Sequence, residues 1–187
     1  MRITSSLTAL IVLLTLVSIT GCGVKNTNKI GAAKNYSGPA AGMRTVTSDK
    51  GYKIDIPTEW VNKKGDGVNM DLQFNRPKME GETFLVNGGV VEENIPRGMS
   101  IKRYNDISIK KFQERGLTST INSSAPFIGN LSGMKDKITI IIKGNIVKES
   151  LYLFVTETKA YVIVCVSSAE NFAKDEIIFD QIATSFR

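Results

Sequence analysis

The sequence has no histidine. That absence removes the imidazole base of Ser-His-Asp and Cys-His catalysis, and the ligand on which most zinc sites depend. Cysteine occurs twice in 187 residues, at Cys22 and Cys165, too sparsely for a disulfide scaffold. No Walker loop and no GxGxxG fingerprint is present. No internal repeat is visible, and a single folded domain is expected. Gly65-Asp66-Gly67 with Asn69 and Asp71 misses the calcium-loop spacing, and no bidentate Glu follows, so it reads as a polar hairpin loop. Glu92 and Glu93 are adjacent and, on a strand, point to opposite faces rather than forming a carboxylate pair. The expectation is therefore no catalytic residue, no metal and no cofactor. An enzyme assembled from distant Asp, Glu and Lys side chains stays as a third reading.

Apolar residues are concentrated at the start of the chain. Leu7–Ile19 runs thirteen residues without a charge, behind Arg2 and the positive amino terminus. A charged start, a short apolar run and small residues before a cut site make a secretory signal. The run is short for a membrane span, which takes ~20 apolar residues. It closes on Ile19-Thr20-Gly21-Cys22, which resembles a bacterial lipobox. That resemblance implies a diacylglyceryl thioether on Cys22 and cleavage before it, so residues 1–21 form the signal peptide. Two acyl chains hold a protein stably on a membrane where one holds it marginally, at ~0.8 kcal/mol per buried methylene. No C-terminal prenylation box competes, since the chain ends ATSFR.

With Cys22 lipidated, Cys165 has no intrachain partner. It sits in the apolar run YVIVCVSS and reads as a small core hydrophobe. Loss of residues 1–21 leaves 187 − 21 = 166 residues and lowers the formal charge from +6 to +5 through Arg2. A basic excess favours nucleic acid in a cytosolic protein. Outside the membrane, anionic lipid or wall polymers are the counter-charges, and no nucleic-acid partner is expected. The Lys-, Asn- and Ile-rich composition points to a Gram-positive surface.

Residues 22–43 form the lipidated cysteine and a tether rich in Gly, Ala, Asn and Lys, with Tyr36 its one aromatic. It holds too little apolar surface to offset its ordering entropy. As a flexible chain its 21 residues, Gly23–Met43, span ~25 Å on average.

The domain is expected over residues 44–187. Thr45–Ser48 and Tyr52–Pro57 form a hairpin about Asp49-Lys50-Gly51, with Tyr52, Ile54 and Ile56 alternating against Lys53 and Asp55. Pro57 ends the strand, and Trp60 plugs the core. Met70–Asn75 is a strand with Met70, Leu72 and Phe74 on one side. Thr83–Ile95 is a strand interrupted at Gly88-Gly89 by a bulge or turn. Ser100–Arg115 changes to helical period, with Ile101, Tyr104, Ser108 and Phe112 on one face and Gly116 as the stop. Strands follow at Leu117–Ile121, Phe127–Gly133 (looser), Lys137–Ile142, Ile146–Thr156 and Ala160–Val166. The last two are joined across Glu157-Thr158-Lys159, and YVIVCV lacks alternation, which predicts cover on both faces. Ser167-x-x-Glu170 reads as a capping box for a final helix carrying Phe172, Phe179, Ile182 and Phe186. The class is α+β: a mostly antiparallel β-sheet flanked by helices.

GYKIDIPTEW and the closing FDQIATSFR resemble the PsbP-like family, whose early hairpin runs aromatic-x-aliphatic-x-aliphatic-Pro-x-x-Trp. Tyr52, Ile54, Ile56, Pro57 and Trp60 match that run, and Ser185-Phe186-Arg187 match the end of its last helix. The resemblance covers roughly residues 44–187. It implies an α-β-α sandwich and a domain that binds other proteins rather than catalyses. Every matching residue is a packing or turn residue, so no family binding residue carries over.

The most distinctive charged element is SIKRYNDISIKKFQERG, with Lys102, Arg103, Lys110, Lys111 and Arg115. Charge runs of this kind ordinarily form a solvated helix face, and a docking patch is the functional alternative. Two readings stand. The first is a non-catalytic, membrane-anchored extracytoplasmic lipoprotein that binds a protein partner at the cell envelope. The second is a binder of a small ligand, lipid or anionic envelope polymer, motivated by the basic helix and the Gly88-Gly89 kink.

Overall fold

The computed structural model describes residues 36–65, 70–82, 84–114, 118–142 and 144–187. The early hairpin forms as its alternation dictates. β1 (Met43–Thr47) pairs antiparallel with β2 (Lys53–Pro57), Val46 standing opposite Ile54. The turn between them needs Gly51, whose φ is +93°, a left-handed conformation that costs glycine no steric energy. The hairpin is a two-stranded sheet of its own.

The remaining strands are β3 (Val61–Lys64), β4 (Leu72–Asn75), β5 (Asn87–Asn94), β6 (Thr118–Ile128), β7 (Ser132–Ile142), β8 (Asn145–Val155) and β9 (Lys159–Ser168). They make one seven-stranded antiparallel sheet in the order β3-β4-β5-β9-β8-β7-β6. β9 is the central strand, and the eight residues Ala160–Ser167 are all buried, as the missing alternation in YVIVCV predicts. Helix α1 (Ile101–Glu114) packs on one face and α2 (Phe172–Thr184) on the other, the latter beside the β1–β2 hairpin.

Two apolar layers result. On the α2 face, Tyr52, Ile54, Ile56, Trp60, Phe74, Tyr152, Phe154, Tyr161, Phe179, Ile182 and Phe186 form one cluster. On the α1 face, Tyr104, Ile138, Ile140, Val147, Leu151, Val162 and Val164 form the second. Each fully buried aliphatic or aromatic side chain contributes about 1.5–3 kcal/mol. Phe186 anchors the first layer, with ring contacts to Tyr52, Phe154 and Tyr161. Trp60 is buried against Phe74, the plug its position suggested.

Several local expectations are corrected. β3 has no counterpart in the sequence reading. Met70 precedes β4 and belongs to the α1-face layer, while Leu72 and Phe74 belong to the other. The segments 117–121 and 127–133 are not separate strands. β6 runs unbroken to Ile128, and residues 129–131 turn the chain into β7. A register shift between Ile121 and Ser123 reverses which side chains face which layer and masks the period of two. Ser167 is not an N-cap: it lies in β9 and its hydroxyl donates to Asp175 inside α2, whose N-cap is Asn171. Phe172, Phe179, Ile182 and Phe186 are buried as their spacing required. Gly116 lies outside the described residues.

Candidate functional site

Helix α1 begins behind Ser100, whose hydroxyl accepts the amide of Arg103 and caps the first turn. Its inner face buries Tyr104, Asn105 and Ser108. Lys102, Arg103 and Lys110 are exposed and Lys111 is half-buried, so four predicted cations share the outer side. Arg115 lies outside the described residues. Lys102 pairs with Asp106 and Lys110 with Glu114, both at helical i,i+4 spacing. The four cations thus stand beside two carboxylates on the same helix.

The predicted kink at Gly88-Gly89 does not form. β5 passes straight through both glycines, Gly88 opposite Cys165 and Gly89 opposite Val164. Their role is close packing. A Cβ on Gly88 would stand 2.5 Å from the Val164 carbonyl oxygen and 2.6 Å from the Phe74 ring. A Cβ on Gly89 would collide with the Met70 sulfur.

An open groove of about 350 Å³ lies elsewhere, between the first turns of α2 and strands β7 and β8. Lys137, Lys148 and Glu176 supply its charge, and Phe172, Ala169 and Ala173 its apolar wall. The Lys148 ammonium sits 5.7 Å from the Phe172 ring centroid. Lys135 and Lys137 both reach Glu176, at 2.7 and 2.6 Å. Burial alone would raise the Glu176 carboxyl, but the two ammonium groups outweigh it and hold it below the usual range. These residues come from three elements up to 39 positions apart (Lys137 to Glu176), so sequence reading had no local pattern by which to find the groove.

Buried ionisable groups also stand beside the β1–β2 turn and under α1. Beside the β1–β2 turn, Glu92 accepts from Lys159, with Lys50 4.0 Å away. Asp71 accepts the Glu92 amide at 2.7 Å, and burial raises its carboxyl above the ordinary value. Glu93 turns to the other face and accepts from Tyr104, as strand alternation requires. Under α1, Glu149 is 1 % exposed, and burial pushes its carboxyl up to about 8. It stands between Ile138 of β7 and Val166 of β9. Cys165 is buried, which raises its thiol and keeps it from acting as a ready thiolate. Among the described residues no group of three acidic or thiol side chains converges as a metal site. No helix among them is long and apolar enough to cross a membrane.

Cys22 lies outside the described residues. Tyr36, expected in the tether, is seated on the domain. Its hydroxyl donates to Asp55 at 2.7 Å, and the Arg187 guanidinium covers its ring. Arg187 also pairs with Asp55 at 3.2 Å and exchanges backbone hydrogen bonds with Lys53.

No family profile matches the sequence, and no curated protein matches it significantly. Solved structures do. The solution structure of cyanobacterial PsbP (CyanoP) from Synechocystis matches with a TM-score of 0.60 at 13 % identity, over 90 % of this chain and 98 % of that one. LpqN, involved in cell envelope biogenesis in Mycobacterium tuberculosis, matches with a TM-score of 0.56 at 7 % identity, over 77 % and 88 %. At these identities the likeness establishes architecture alone: the chain carries an α+β fold of the PsbP-like type.

Proposed function

We propose that this protein is an extracytoplasmic lipoprotein, held to the membrane by lipid on Cys22, whose domain binds a protein partner at the cell envelope without catalysing a reaction. The observation that carries the reading is the lipobox Ile19-Thr20-Gly21-Cys22 directly behind a thirteen-residue apolar run. The fold supports it, being shared with a protein of cell envelope biogenesis. Tyr36 fixes where the leash meets the domain. Fourteen positions separate it from Cys22, a reach of at most about 50 Å. The domain therefore works close to the bilayer, within range of membrane proteins and their exposed loops.

The test is chemical crosslinking in intact cells, followed by mass spectrometry of whatever is joined to the lipidated protein. One recurrent protein partner supports the reading. Recovery of lipid or wall fragments alone sinks it. The α2 groove favours a second reading, an anionic amphiphile with its charge on Lys148 and its apolar part along Phe172. Binding of that kind weakens steeply with salt.

A further inference from the structure

The seven-stranded sheet ends in two unlike edges. β3 is four residues long and carries Lys63 and Lys64. β6 is eleven residues long, and its sequence TSTINSSAPFI holds no charge. Among the described residues the helices make their main sheet contacts elsewhere, α1 on β7 and β8 and α2 on β2, β8 and β9. Asn105 of α1 reaches it at Ser124, from the face rather than the edge. Thr120, Ser124, Ala125, Pro126 and Ile128 are exposed along it. Ile128, at 82 %, is the most exposed large apolar side chain among the described residues. An open edge presents unpaired N–H and C=O groups to any strand of matching shape, and folded proteins guard such edges with brevity, charge or cover. β3 is guarded in this way. Among the described residues, β6 has its register shift and Pro126 as guards.

We propose that two copies of this protein pair through β6, antiparallel about a twofold axis, so that their two seven-stranded sheets become one. A twofold contact sets each strand against itself, so any charge near the axis meets its own copy. Like charges placed opposite one another destabilise a strand pair, whereas Thr and Ser hydroxyls hydrogen-bond across it. The β6 sequence has no charge to repel and is rich in Ser and Thr. β3 would set lysine against lysine. The occupant that fits a long neutral edge without any complementary charge is therefore the same edge of a second copy. A strand pair of this kind has its axis normal to the sheet, which leaves both α2 faces on one side. The β1–β2 hairpin lies on that side, and Tyr36 is held against its Asp55. Both leashes then depart from the same face and reach one membrane. The leash geometry rests on the lipoprotein reading; the pairing does not.

The test is sedimentation of the full protein, extracted in mild detergent, against the double variant Thr120→Glu with Ala125→Glu, which brings like charges to the axis. The expected result is a twofold mass for the parent and a single-chain mass for the variant, with the same far-UV spectrum. A parent that stays monomeric at every concentration overturns the proposal, and so does a folded variant that stays dimeric. Should the variant not fold, amide hydrogen exchange of the parent decides. Protection at β6 that is lost on dilution supports the pairing, and concentration-independent exchange there refutes it. Failure of the pairing leaves lipid on Cys22 measurable by mass spectrometry, so the two readings stand or fall separately.

Discussion

The Arg187 guanidinium lies 3.4 Å from the centre of the Tyr36 ring and donates to Asp55, which Tyr36 also reaches through its hydroxyl. One carboxylate, 2 % exposed as a residue, thus joins the segment before β1 to the segment after α2. Thr45 adds a third donor at 2.7 Å. The consequence is that Tyr36 is fixed against the domain beside its C-terminal residue.

Arg187→Ala strips Asp55 of its cation while leaving the carboxylate buried. Losing one partner of a buried pair costs about 3 kcal/mol. Tyr36→Phe keeps the cation–ring contact and removes the hydroxyl that donates to Asp55 and lies 3.4 Å from the Thr45 hydroxyl, costing about 1 kcal/mol. Urea unfolding should rank the two in that order with equal slopes. The reverse order would mean that the ring, not the carboxylate, holds the segment.

Gly88→Ala should destabilise by about 1–3 kcal/mol, the usual cost of forcing a methyl into a packed core. The added Cβ meets the Val164 carbonyl oxygen, which belongs to the central strand and has little room to yield. A thermal midpoint unchanged from the parent would show that β5 and β9 lie farther apart.

Glu149 makes stability fall with pH. Its folded value, about 8, lies above the ordinary 4.5, so the folded state holds the proton more tightly than the unfolded chain. Stability from this group is complete below pH 4.5 and flat above pH 8. Between the two it declines by about 1.4 kcal/mol for each pH step of one. Glu149→Gln should remove that decline. The measure is the difference between parent and variant in urea midpoint at about pH 5 and about pH 8, the two ends of that window. Parallel shifts at both ends would mean the carboxyl does not titrate between them.

The four cations of α1 should matter little to folding. Replacing Lys102, Arg103, Lys110 and Lys111 with Ser removes two exposed helical pairs worth about 0.5 kcal/mol each. Partner capture in the crosslinking experiment is the informative readout. Capture that persists in the variant removes α1 as the docking surface.

Sequence reading served well where one physical rule governs a residue. Tyr52, Ile54 and Ile56 alternate because one side of β2 is core, and Ala160–Ser167 do not because β9 is covered on both sides. It failed where two rules compete. The register shift near Ile121 breaks the period of β6, so an eleven-residue strand reads as fragments. Gly88-Gly89 looks like a bend, yet the missing side chains make room for Phe74 and Met70 from beyond the strand. Ser167 has the spacing of a cap, and its hydroxyl serves Asp175 instead. The groove beside α2 needed tertiary structure, because Lys137, Lys148 and Phe172 share no local pattern.

Thiol titration tests the anchor and the core at once. Cys165 is wholly buried and its thiol is raised by burial, so a disulfide reagent should not modify it in the folded protein. Cys22, if carrying a thioether, has no thiol to titrate. Protein isolated from cell membranes should then show no reactive thiol when native and one after denaturation. One native thiol and two after denaturation would mean that Cys22 is free and the lipoprotein reading is wrong. One native thiol with no second after denaturation would mean that Cys165 is reachable, and that β9 is not sealed beneath α2.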